Sequence, residues 1–97
     1  MAKRRVKTIA AHPGEILREE FMKPMGISAY QLAKALHAPG IYEIVREERA
    51  ISATVALKLG KYFGTTPEFW MNLQTDYDLR LAAAGTSLRR IKPRLAA

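Results

Sequence analysis

Residues 28–46 read SAYQLAKALHAPGIYEIVR, and the reading of this stretch decides the fold. Ser28 followed three positions later by Gln31 is a capping box: the hydroxyl takes an exposed N–H of the first turn while the glutamine reaches back to the cap. Behind it, AYQLAKAL presents Leu32 and Leu36 at i,i+4 with Ala33 between them, one apolar stripe. His37, Ala38, Pro39 and Gly40 are turn chemistry. Ile41, Ile44 and Val45 then recur at i, i+3 and i+4, the signature of a second short helix. Two short helices joined by a tight turn that contains glycine make a candidate helix-turn-helix. A polar, capped start to the first of them suits backbone N–H groups that face a phosphate. Units of this kind are common in all-α folds. Pattern alone therefore leaves open both a DNA-binding unit and an ordinary helical bundle.

The flanks extend the same punctuation. Upstream, His12-Pro13-Gly14 interrupts the chain, and GEILREEFMK places Ile16, Leu17 and Phe21 on one stripe. Pro24 is read as the end of that helix. Downstream, Glu47 to Ile51 reads as a connector. Ser52 caps a fourth helix with Val55, Ala56, Leu59 and Phe63 on one face, and Gly64 ends it. Thr66-Pro67-Glu68 opens a fifth: threonine as cap, proline in the first turn, an acid beside the positive helix end. That helix carries Phe69, Leu73 and Tyr77 at steps of four, with Trp70 and Leu81 nearby, and Gly85 closes it. No strand alternation, internal repeat or low-complexity tract interrupts the series. The expectation is an all-α chain of five helices.

Composition bounds the rest. The 97 residues suffice for one domain with a modest core. No apolar run approaches the ~18 residues of a membrane span, and the N-terminus lacks the apolar stretch of a secretion signal. The absence of cysteine excludes disulfides, thiolate metal sites and cysteine nucleophiles. A cytoplasmic protein without membrane contact fits these features. The net charge is +7, which suggests a polyanionic partner, but its distribution is uneven. Lys3, Arg4, Arg5 and Lys7 lie in the first twelve residues, and Arg89, Arg90, Lys92 and Arg94 follow Gly85. Residues 13–84 hold eight basic and nine acidic side chains. The excess belongs to two tails, and the domain between them is near neutral. Three parts follow: a basic N-terminal arm over residues 1–11, a helix-turn-helix domain with a C-terminal dimerisation helix over 12–84, and a basic tail over 85–97. The tails either follow a DNA groove as homeodomain arms do or are solubilising extensions.

Four segments carry a resemblance beyond pattern. They are HPGEILREEF (12–21), the Leu32-Ala33 pair in QLAKAL, EIVREERAIS (43–52) and ALKLGKYFGTTPEFWMNLQTDYDL (56–79). On these the chain resembles the HigA-type antitoxins, a branch of the phage-repressor-like helix-turn-helix family. GTTPEFWMNLQ followed by YDL is the most specific part. The resemblance implies a five-helix fold and a homodimer that binds a palindromic operator upstream of its own gene pair. It also implies a protein partner, a HigB-type toxin that cleaves mRNA on the ribosome. One departure stands out: Leu36 to Ile41 is five steps, two residues short of the family's usual spacing at the start of the recognition helix. Either the recognition helix is shortened or two residues are absent from this sequence.

Candidate residues follow from the pattern and the resemblance together. Ser28, Tyr30 and Gln31 open helix two as phosphate contacts, although Ser28 and Gln31 also serve simply as caps. Gly40, Tyr42, Glu43 and Arg46 lie on or beside the recognition helix, and with Ile41, Ile44 and Val45 inward, Tyr42, Glu43 and Arg46 point outward. Tyr42 and Glu43 are the candidates for base edges, since a glutamate can accept from the amino group of cytosine. Glutamate also repels phosphate. Arg46 and Arg49 are phosphate ligands or solvated charges beside Glu47 and Glu48. Phe69, Trp70, Leu73 and Tyr77 form either a dimer seam or intramolecular core. Glu15 and Glu19, at i,i+4 on helix one, offer an acidic face to a basic toxin or are a solvated surface around Arg18. His12 is read as a helix cap, and neither His12 nor His37 has a second ligand at metal spacing. No cofactor, metal site or catalytic constellation is expected. The rival readings are a free-standing repressor without a toxin partner and, from another class, a small nuclease, which no convergent acid–base spacing supports.

Overall fold

The computed structural model describes residues 11–95, so Lys3, Arg4, Arg5 and Lys7 of the basic arm lie outside the described residues. Five helices and no strand occur among the residues described. Helix α1 spans residues 13–25, α2 Ala29–Leu36, α3 Ile41–Val45, α4 Ala53–Phe63 and α5 Pro67–Gly85. The all-α, five-helix expectation holds.

Local chemistry sets most of the boundaries. His12 Nδ1 accepts the Gly14 N–H at 2.9 Å and starts α1. The Ser28 capping box is complete: Ser28 Oγ accepts from Gln31 N (3.1 Å) and Gln31 Oε1 accepts from Ser28 N (2.9 Å). Ser52 Oγ and Thr66 Oγ1 cap α4 and α5 through Val55 N and Phe69 N. The helix ends share another device. Gly26, His37, Glu47 and Gly64 all take left-handed φ, between 53° and 75°. Around His37, Ala38 N donates to Ala33 O; around Glu47, Glu48 N donates to Glu43 O, the six-to-one bond of a Schellman turn. Gly26 and Gly64 adopt this conformation without strain. His37 and Glu47 carry a Cβ there, which costs about 1–2 kcal/mol each.

One boundary departs from expectation. Pro24 does not end α1; the helix continues to Met25 and stops at Gly26. Leu17–Met22 forms a π-helical segment ahead of the proline, and Lys23 N donates to Arg18 O, five residues back. The widened turn relieves the clash a proline ring makes with the preceding turn, and Pro24 has no N–H to place.

Leu17, Leu32, Ile41, Ile44, Leu59 and Trp70 are fully buried and form the centre of one core, so every helix contributes to it. Phe21, Phe63 and Phe69 surround Trp70 with ring centroids 4.9–6.2 Å from it. The indole Nε1 donates to Thr65 Oγ1 at 2.8 Å, so the polar atom of the buried tryptophan has its partner. Beyond Tyr77, α5 leaves the core, and residues 78–85 are all exposed. Residues 86–95 carry no helix or strand.

Candidate nucleic-acid interface

The turn between α2 and α3 closes on the residues it has. His37 adopts φ 53°, Ala38 is buried, and Ile41 N donates to Ala38 O at 3.1 Å. The outcome is a recognition helix of five residues, Ile41–Val45. A helix this short has no stability of its own. Its frame is external. Ile41 and Ile44 anchor it in the core. Gly14 packs so tightly on it that a Cβ there would collide with the Ile44 carbonyl.

Arg18 of α1 completes that frame. Its Nη1 donates to Val45 O at 2.6 Å, its Nη2 to Glu47 Oε2 at 2.9 Å, and its Nε to Glu19 Oε2 at 3.0 Å. Burial lowers the Arg18 pKa, but the hydrogen bonds and charges of Glu47 and Glu19 outweigh it and raise it above the ordinary value. The Arg18 hydrogen bond, followed by that of Lys23, holds the Glu19 carboxyl below the usual carboxylate range. Downstream, the buried Gln74 accepts the Ile51 N–H at 2.8 Å and donates to Asp78 Oδ1 at 2.9 Å, which pins the loop after α3 to α5. On the other side, Lys58 Nζ donates to His37 O at 3.0 Å, at the end of α2.

Against this frame the expected contact residues take definite places. Ser28, Tyr30 and Gln31 lie at the surface at the start of α2. The Gln31 oxygen is engaged by the cap, which leaves its amide nitrogen as the donor. Lys34 sits 5.7 Å above the Tyr30 ring. A groove of about 440 Å³ runs between α2 and α3, lined by Tyr30, Lys34, His37, Ala38, Pro39 and Tyr42. Tyr42 and Glu43 are half-buried and Arg46 is exposed. Glu43 lies 3.8 Å from Arg49, and Arg46 Nε lies 3.3 Å from Glu48. The Arg49 side chain also covers Gly40, 3.5 Å from where a Cβ would stand. Arg49 thus stands beside Glu43 at the protein surface, so the acid of the recognition helix has a basic neighbour.

Two expectations are corrected. Trp70, read as a dimer-seam candidate, is 0 % exposed and belongs to the core of its own chain; the aromatic cluster of Phe21, Phe63 and Phe69 encloses it. Glu15, read as part of an exposed acidic face with Glu19, is only 6 % exposed, because the first turn of α1 faces α3 and α5. Glu19 is at the surface but engaged with Arg18 and Lys23. Phe69 lies at the margin of exposure, Leu73 and Tyr77 are half-buried, and the Tyr77 ring stands edge-on to His12 at 4.9 Å. Local spacing gave no sign of Arg18, Lys34, Lys58 or Gln74 as parts of the frame or surface. A charged side chain at the centre of an acidic run (Arg18 before Glu19-Glu20) was the one available hint for the first. Among the described residues no group of three or more acids or histidines is placed to hold a metal. No described helix is long and apolar enough to cross a membrane.

Comparison with known proteins agrees with this geometry. The helix-turn-helix family profile matches residues 19–70, more than half of the chain. Virulence-associated protein I of Dichelobacter nodosus is 61% identical over 75 residues, 75% of this chain and 69% of that one. Antitoxin HigA-1 of Vibrio cholerae is 38% identical over 78 residues, 78% of this chain and 73% of that one. Among solved structures, the Pseudomonas aeruginosa antitoxin HigA, determined with the higBA promoter, superposes with a TM-score of 0.83 at 48% identity, covering 88% of this chain and 98% of that one. With its short α2 and α3, tight turn and five-helix core, the chain belongs to the phage-repressor-like helix-turn-helix family, and within it is similar to the HigA antitoxins.

Proposed function

We propose that the chain is a sequence-specific DNA-binding repressor that also serves as an antitoxin. The observation that carries the reading is the α2–α3 unit: an exposed, capped helix start bearing Tyr30 and Gln31, with Lys34 in the last turn of the same helix, set beside a short helix whose outward residues are Tyr42, Glu43 and Arg46. In this reading the start of α2 and the Arg46–Arg49 loop grip phosphates, and α3 enters the major groove, where Tyr42 and Glu43 meet base edges. The likeness to a HigA structure determined with the higBA promoter supports DNA binding by this chain.

The reading extends to a homodimer on a palindromic operator. Leu81 is 45 % exposed on the half of α5 that leaves the core, and it continues the i,i+4 row of Phe69, Leu73 and Tyr77. Apolar residues on a projecting helix suit a second copy of the chain. Leu81, with Phe69, Leu73 and Tyr77, replaces Trp70 in the seam. The finer reading is autorepression of a toxin–antitoxin gene pair and neutralisation of a HigB-type mRNA-cleaving toxin.

Footprinting on the promoter upstream of its own gene tests the central claim. Protection of two half-sites about one helical turn apart is the expected result; an unprotected promoter at low salt overturns it. Rescue of growth when the chain is co-expressed with a toxic neighbour gene supports the antitoxin role. If the promoter is protected but no neighbouring product co-purifies, the chain acts as a free-standing repressor.

A further inference from the structure

Of all the polar side chains described, Arg18 makes the most unusual set of contacts for a residue on a surface helix. Its three donor groups reach a backbone carbonyl and two carboxylates, and two of those partners lie 27 and 29 residues along the chain. Both distant partners sit at one place, the C-terminal end of the recognition helix. Val45 is the last residue of α3, and its carbonyl is among those a helix end leaves without an intrahelical partner. Glu47 is the residue held at φ 64°, a conformation that costs a side-chain-bearing residue energy unless neighbours impose it. The planar guanidinium is well shaped to hold both, because it presents parallel donors in a fixed fork, which an ammonium cannot do.

We propose that Arg18 is a positioning residue for operator reading: without touching DNA, it fixes the end of α3 and the Glu47 turn, and so sets the angle at which Tyr42, Glu43 and Arg46 are presented. The inference rests on the DNA-binding reading above. Its logic is the brevity of α3. A longer recognition helix would hold its own axis through internal hydrogen bonds. A five-residue helix takes its direction from its surroundings, here from α1: Gly14 meets the Ile44 carbonyl, and Arg18 meets the next carbonyl along. A guanidinium occupied by three protein acceptors has little left for phosphate. Its loss should damage discrimination and spare the non-specific electrostatic attraction.

The test measures binding of the full chain to its promoter fragment and to a scrambled duplex of equal length, by fluorescence anisotropy across a salt series. For Arg18→Met, affinity for the promoter should fall about tenfold, the order expected when a charge-assisted contact that orders the site is lost. Affinity for the scrambled duplex and its salt slope should stay unchanged. A parallel fall on both duplexes, with the salt slope reduced by about one, would make Arg18 a phosphate contact and overturn the proposal. Unchanged selectivity would overturn it as well. Should Arg18→Met fail to fold, Arg18→Lys keeps the charge and loses the fork. It should show a smaller loss of selectivity together with faster amide exchange at Glu47 and Glu48, relative to α4. Unchanged exchange at those two amides and unchanged selectivity in Arg18→Lys would reject the idea. A wild-type chain that binds no promoter fragment would remove the DNA-binding reading itself, and this inference with it.

Discussion

The shortest and the longest helices of the molecule are held in opposite ways. α3 has five residues and is tied at nearly every position: Ile41 and Ile44 in the core, the Ile44 carbonyl against Gly14, the Val45 carbonyl on Arg18, and a left-handed Glu47 closing it. α5 has nineteen residues, yet only its first half is anchored, by Trp70 and Gln74, and residues 78–85 stand exposed. Helix length is thus a poor guide to order here. The short element draws its order from tertiary contacts, since its length cannot sustain it. The long one has enough internal hydrogen bonding to project from the core as a helix, with Leu79 and Leu81 exposed on it.

Trp70→Ala should have the largest effect, because it empties the aromatic cluster at the root of α5 and strands Thr65. Loss of about 3–5 kcal/mol is expected, enough to unfold much of so small a domain, and urea denaturation followed by far-UV circular dichroism reads it. Gly14→Ala strikes the frame of α3. The added methyl must push back the Ile44 carbonyl, at a cost of about 1–3 kcal/mol, and promoter binding should weaken further than the stability loss explains. A variant as stable and as tightly bound as the parent would show that α3 does not depend on this approach.

Leu81→Asp separates the two ends of α5. Its side chain is exposed, so the folding stability of the isolated chain should change little, within about 0.5 kcal/mol. Light scattering should shift from twice 10.9 kDa toward one chain mass. A dimer that survives places the seam elsewhere. The smallest effect concerns acid. Glu19 has its pKa depressed by Arg18 and then Lys23, so its contribution is present above the ordinary value of 4.5 and is lost as pH falls through the lower folded value. Selectivity for the promoter should therefore hold from neutral pH to about 4.5 and soften below it. Glu19→Gln should flatten that dependence in the same anisotropy assay.

What was legible in the sequence was whatever is local. Ser28 with Gln31, Ser52, Thr66, Gly64 and His12 announce helix ends because a cap acts within two to four residues, and each performs as its chemistry suggests. The apolar stripes identified Leu32, Leu36, Ile41 and Ile44 as core for the same reason. Periodicity does not say which of two apolar faces a neighbour covers, and so Trp70 was set beside Phe69 although one is enclosed and the other lies near the surface. Nor does it register a contact across 27 residues, so Arg18 read as a surface charge and Glu15 as its exposed neighbour. The left-handed His37 and Glu47 were hidden because neither is glycine, the residue that normally marks such a turn. Pro24 misled because its usual effect as a helix breaker was absorbed by a π turn with no sequence signal of its own.

The left-handed residues on either side of α3 have a consequence for redesign. His37 and Glu47 bracket a cassette whose mounting points, Ile41 and Ile44, face inward, and whose clamps, Gly14 and Arg18, come from another helix. Of the outward positions, Arg46 is exposed, whereas Tyr42 and Glu43 are half-buried and Tyr42 packs in part against the core. On the proposed DNA-binding reading, exchange of the Arg46 side chain re-aims a contact while the mounting points and clamps stay untouched, whereas exchange of Tyr42 also disturbs the packing behind it.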